Sequence, residues 1–243
     1  SSIANLAGVA DLPGYYDTSE YMIGTVAVGL ILPESNGATD ASTEDWTDAE
    51  TTTVVNEVQA ALDWLESQAP PAAQLNFVLD AAAPRVVSTK YEPINRPQSQ
   101  EGLWIGDTLA NMGYSTGDYF WDRSHAYVND LRTQYNTDWA FTIFVADSSN
   151  DPDGYFANGY FFAYSYLGGP FLVMTYDNDN WGIDKMNQVV AHEIGHIFLA
   201  GDQYAGSGCT KTQRYGYLGV LNTWCINSNP SLMKGNYILS SGD

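Results

Sequence analysis

Positive charge is what this chain has least of. Nine Lys and Arg stand against 29 Asp and Glu, a formal net charge of −20 over 243 residues. Residues 1–84 contain no Lys or Arg at all. A surface of that sign repels phosphate backbones and anionic lipid, so nucleic acid is excluded as an expected partner. It suits divalent cations and solubility in a harsh exterior, although acidic surfaces are also common in proteins that bind no ion. Long hydrophobic runs are missing too. Nothing approaches the roughly 20 apolar residues that cross a bilayer, so no membrane span is expected. Ser1–Ala10 lacks the basic start of a secretory signal, and Ser1 is read as a processed start. No repeat and no linker rich in Pro, Gly or Ser divides the chain, which is read as one domain over residues 1–243. Nothing calls for a partner subunit, and a monomer is expected.

Cysteine is almost absent: Cys209 and Cys225 are the only two. An even number in such a chain fits one disulfide closing the loop between them, and with it a secreted or cell-surface location. Two free thiols remain the alternative. Histidine is nearly as rare, with His125, His192 and His196 the only three.

What is present reads as mixed α and β. Met22–Leu32 is β-branched and apolar and predicts a strand that stops at Pro33. Thr47 with Glu50 makes a capping box for a helix whose apolar stripe is Val54, Val58, Leu62 and Leu65. Pro70 and Pro71 end it. Leu75–Leu79 is the next strand. Gln100–Met112 and Asp118–Tyr135 predict helices, and Trp139–Ala146 returns to strand. Gly159–Leu167 and Phe171–Tyr176 follow as strands around Gly168-Gly169-Pro170. A helix from about Gly182 to Ala200 carries the stripe Met186, Val190, Ile194 and Ile197. Beyond Gly201 the chain is irregular. Five strands, a few helices and a loose end make an α+β fold with a cleft near the last helix.

The chemistry concentrates in His192-Glu193-Ile194-Gly195-His196. Two histidines four apart stand one turn from each other on one helix face, where both rings reach a single metal ion. Glu193 lies next to that face, placed to take a proton from a water that zinc has made more acidic. The polar trio interrupts an otherwise apolar helix, where imidazoles without partners are costly. A catalytic zinc needs a third protein ligand, and no His follows His196 and no Glu follows Glu193. The downstream carboxylates are Asp202 and the terminal Asp243. Elimination selects Asp202, which follows Gly201, a residue able to turn the chain back.

With these residues the sequence resembles the metzincin clan of zinc endopeptidases. The clan's long motif is His-Glu-x-x-His-x-x-Gly-x-x-His or Asp, followed by a tight turn containing Met. His192 to Asp202 matches the Asp form, as in snapalysin-like enzymes, and Ser231-Leu232-Met233 resembles the Met-turn. Two positions depart: Leu199 stands where the motif has Gly, and Gly235 where a Tyr is frequent. Tyr237 or Tyr204 would then supply a phenol near the oxyanion. The resemblance implies a five-stranded twisted sheet with a backing helix and an active-site helix in an upper lobe of about residues 1–201. A small lower lobe of about 202–243 completes it. It implies an apolar floor at Met233, and a rim strand that pairs with an extended substrate. Few residues follow Met233, so the natural chain is expected to continue past Asp243.

The reading is of an extracellular zinc endopeptidase acting on protein or peptide. A binding or structural module with a non-catalytic zinc is the alternative, and a hydrolase of another amide is a third. Retention of Glu193 favours catalysis. Structural calcium is a further expectation at Asp147, Asp151 and Asp153, and at Asp177 and Asp179, against the plainer reading of solvated turns and a helix N-cap.

Overall fold

The computed structural model describes residues 13–117, 119–157, 159–177 and 181–234. Its centre is strand β1 (Thr25–Ser35), buried almost from end to end. Helix α1 (Asp48–Gln68) follows, then β2 (Asn76–Leu79), β3 (Arg85–Thr89), α2 (Glu101–Asn111) and α3 (Phe120–Tyr135). Next come β4 (Trp139–Ala146), β5 (Ala163–Ser165), β6 (Phe171–Thr175) and α4 (Met186–Ile197). A small hairpin of β7 (Arg214–Tyr215) and β8 (Val220–Leu221) lies beyond α4. The architecture is α+β, with a mixed, mainly parallel sheet and four helices among the described residues.

The sheet has six strands rather than the expected five, in the order β2-β1-β4-β6-β5 with β3 also on β1. β2 pairs with Thr25–Val28 and β3 with Ile31–Ser35, one after the other along the same edge of β1. β4 takes the opposite edge from Val26 to Ile31. Between β2 and β3 the chain bends at Asp80, whose buried carboxylate accepts bonds from Tyr135 Oη at 2.7 Å and Arg85 Nη2 at 3.1 Å. β3 escapes a periodicity reading because it is short and buries only Val87 and Thr89. β1 also runs past Pro33 to Ser35. Pro33 lies beyond Ile31, where β4 no longer pairs, so a missing amide hydrogen is tolerated there.

Both faces of the sheet are covered, which is why β1 reads as a continuous apolar run. Val26, Val28, Leu30 and Leu32 face α1 and α4. Ala27 and Ile31 face α2 and α3. At Gly29 a side chain would come within 2.7 Å of Tyr127 Oη and 2.9 Å of Leu131 Cδ1, so α3 packs directly on the strand backbone. Helix α1 begins with the Thr47–Glu50 capping box and buries Val54, Val58, Leu62 and Leu65, as the sequence predicts. Each of those four side chains contributes about 1.5–3 kcal/mol of transfer free energy. The short strand β5 is the only antiparallel member of this sheet and forms its far edge, next to α4.

Candidate metal centre

Helix α4 is anchored before it presents any chemistry. Its inner face buries Met186, Val190, Ile194 and Ile197. Near its start the Glu57 carboxylate of α1 accepts the amide of Asn187 at 3.1 Å, satisfying one of the unpaired N–H groups of a helix N-terminus. At its other end Leu199 takes the left-handed conformation, φ 67°. Leu199 N then bonds His196 O at 2.8 Å and Ala200 N bonds Gly195 O at 2.8 Å, the paired bonds of a Schellman cap. Here the structure differs from the sequence expectation, which gave the turn to Gly201. Gly201 serves a different need: a side chain on it would stand 2.1 Å from Tyr215 Cζ, so its absence admits that ring.

The turn carries Asp202 back over the two histidines. Asp202 Oδ1 lies 3.2 Å from His192 Nε2 and 3.3 Å from His196 Nε2. The two imidazoles stand at 89° to each other with centroids 4.9 Å apart. Their other nitrogens are already committed: His192 Nδ1 donates to Leu232 O at 3.0 Å and His196 Nδ1 to Ala200 O at 2.8 Å. In the neutral rings this puts the hydrogens on Nδ1 and leaves both Nε2 lone pairs facing one carboxylate oxygen. That oxygen is buried and has no hydrogen-bond partner. Three acceptors pointing at one spot repel one another unless a cation or protons lie between them. Two nitrogens and one oxygen are a donor set that suits a borderline divalent ion such as zinc.

Electrostatics agree with that demand for positive charge. Burial pulls both imidazoles towards lower pKa, but Asp202, Glu193 and the carbonyl partners outweigh it and hold them above the ordinary histidine value. Burial likewise pushes Asp202 up, and the two histidines overcome it to hold its carboxyl well below the usual carboxylate range. Among the described residues this is the only group of three or more His, Cys, Asp or Glu side chains whose ligand atoms lie within 4.8 Å of one another.

Around the triad the remaining site residues fall into place. Glu193 is 6% exposed, and its carboxylate accepts from Ser165 Oγ on β5. Met233 lies under the helix: a side chain at Gly195 would come within 2.5 Å of Met233 Sδ. Gln203 N bonds Met233 O at 2.8 Å, which ties the Asp202 turn to the same segment whose Leu232 holds His192. Tyr204 lines the cleft beside the triad; burial and then the Asp202 and Glu193 carboxylates raise its phenol pKa. Cys209 and Cys225 form a disulfide with Cα atoms 5.9 Å apart. Cys209 also lines a cleft of about 360 Å³ together with His192, Glu193, His196, Asp202 and Tyr204. A second cleft of about 490 Å³ continues past His192 and Glu193 between Phe162, Trp181 and Val189.

Other expected residues stand elsewhere. Asp151 Oδ1 accepts from the amides of Asp153 and Gly154, Asp153 Oδ1 from Tyr155 N, and Asp147 Oδ1 from Ser149 N, so each carboxylate turns its own loop. Asp177 is bound through its backbone to Ser148. Asp179 and Tyr237 lie outside the described residues. Ser165 is the site residue that the sequence does not betray. A serine inside an aromatic run carries no motif, and only the packing of β5 on α4 brings it to Glu193. No family model matches the chain, and no curated protein matches it.

Proposed function

We propose that this chain is a zinc-dependent endopeptidase of metzincin type, secreted or held at the outer cell surface. One observation carries the reading: two Nε2 lone pairs and a buried, unpartnered carboxylate oxygen converge beside Glu193 in an open cleft. Zinc bound there supplies a Lewis acid that polarises a substrate carbonyl and makes water more acidic. Glu193 takes the proton of the attacking water and returns it to the departing amine. Tyr204 lines both clefts beside the triad, where its phenol can donate to the oxygen that gains negative charge. Among the described residues the outer edge of β5 carries no further strand of the sheet, and it lies beside the site, so an extended peptide can add to it through its backbone.

Further support comes from the scaffold. Helices α1 and α4 share one face of the sheet, the antiparallel edge strand borders α4, and Met233 lies beneath the histidines. The second helical layer, α2 and α3, goes beyond what the resemblance implies. The disulfide is compatible with an oxidising exterior. No helix among the described residues is long and apolar enough to cross a membrane.

The test is hydrolysis of an unstructured protein, its sensitivity to chelator, and its loss on substitution. Glu193→Gln should keep zinc at wild-type stoichiometry while losing turnover by several orders of magnitude. Wild-type turnover in that variant overturns the mechanism. Bound zinc with no chelator-sensitive cleavage in the wild-type chain identifies a binding module instead.

A further inference from the structure

We propose that Ser165 is a positioning residue that holds the Glu193 carboxylate in place beside the two histidines. The proposal rests on the reading of Glu193 as the proton carrier. Ser165 Oγ lies 2.9 Å from the backbone oxygen of Glu193 and closer still to Glu193 Oε2. One hydroxyl hydrogen thus faces two acceptors on the same residue. Ser165 therefore ties the end of the Glu193 side chain to its own backbone and fixes the carboxylate through Oε2.

The strand that carries this hydroxyl is held along its paired edge and on its far face, which is what positioning requires. β5 pairs antiparallel with β6, Ser165 opposite Leu172. Its alternation sends Tyr164 and Tyr166 into the opposite layer, where the Tyr166 hydroxyl donates to the buried Glu101 carboxylate. Ala163, Ser165 and Leu167 face the cleft. Glu193 itself is 6% exposed, so water has little access to replace a missing serine hydroxyl.

The experiment measures kcat, KM and zinc content for Ser165→Ala, Ser165→Thr and Tyr166→Phe beside Glu193→Gln. A lost bond to a largely buried charged group predicts a kcat lower by about ten- to a hundredfold in Ser165→Ala. KM and zinc content should stay at the wild-type value. Ser165→Thr, which keeps the hydroxyl on a strand that accepts β-branched residues, should recover most of the loss. Tyr166→Phe loosens the same strand on its far face and should keep kcat within about twofold. Wild-type kcat in Ser165→Ala overturns the proposal. So does an equal loss in Ser165→Thr, or a loss in Tyr166→Phe as large as that in Ser165→Ala. The two readings fail differently. Full turnover in Glu193→Gln removes the function, whereas an inactive Glu193→Gln beside a normal Ser165→Ala removes only the serine's role.

Discussion

Replacing Asp202 with Asn separates a metal centre from a chance meeting of polar groups. The amide keeps the shape of the side chain and removes its charge, so the Leu199–Gly201 turn need not move. In the metal-free protein the effect begins with protons. Asp202 Oδ1 is within 3.3 Å of both Nε2 atoms and helps to hold both histidines above their usual pKa against burial. Without it burial dominates, and both rings should titrate below about 6.5, which imidazole-detected NMR would read directly.

The pH dependence of stability follows in sign. A histidine whose folded pKa is raised contributes stability below about 6.5, and that contribution fades as pH rises through the folded value. Asp202, held low, contributes above about 3.9 and loses its contribution as pH falls through its folded value. The triad should therefore stabilise the metal-free fold most between about pH 4 and 6.5, and Asp202→Asn should flatten that maximum. Zinc competes with the same protons, so its affinity should rise with pH across the raised histidine pKa values. Losing an outer partner of a metal ligand costs about 10- to 100-fold in affinity, and losing an anionic ligand should cost at least the upper figure, about 2.7 kcal/mol. Zinc titration by calorimetry at pH 7.5 gives the answer. An Asp202→Asn protein that folds normally and binds zinc within threefold of wild type would refute the ligand assignment.

Two further outcomes rest on other parts of the molecule. Burial, with the Glu34 and Glu44 carboxylates, pushes Glu92 up to about 7. The folded chain then holds that proton more tightly than the unfolded one, and stability falls as pH climbs from about 4.5 to about 7. Glu92→Gln should remove that slope and stabilise the protein at pH 8 by on the order of 2 kcal/mol, and unchanged denaturant midpoints at pH 8 would contradict it. The turn after α4 makes an opposed pair. Gly201→Ala places a methyl group 2.1 Å from Tyr215 Cζ and should cost about 1–3 kcal/mol with weaker zinc binding. Leu199→Gly relieves a left-handed leucine but frees the unfolded chain by a similar amount, so its net effect should be under about 1 kcal/mol. Equal losses in the two variants would show that the turn has been misassigned.

Elements with a strong local signal were legible in the sequence. The Thr47–Glu50 box and four apolar residues three or four apart define α1, and β4 spans the predicted Trp139–Ala146. These segments need no knowledge of the rest of the chain. β5 did not behave so. The aromatic stretch Gly159–Leu167 reads as a long strand, yet only Ala163–Ser165 pairs. Just before it, Phe156 N is drawn to Phe161 O across a loop. The side of the sheet taken by each helix was likewise hidden. Both helix pairs carry apolar stripes, and it is the alternation along β1, with Gly29 admitting Tyr127, that assigns α3 to the face opposite α4.

At the candidate metal centre, legibility follows how local each requirement is. His192, Glu193 and His196 are fixed by helical spacing alone, and Asp202 by the scarcity of acids after them. The means of bringing Asp202 home was not readable, because either Leu199 or Gly201 could have made the turn. A leucine at φ 67° is unfavourable by about 1–2 kcal/mol and survives because the next residues repay it. Ala200 O takes His196 Nδ1, Ala200 N closes the helix on Gly195 O, and Gly201 must stay bare for Tyr215. Moving the glycine to position 199 while filling position 201 would relieve the backbone and evict the aromatic ring that supports the turn. A leucine in the left-handed position is thus the consequence of packing the Tyr215 ring against Gly201. It leaves the three donors converging on one point.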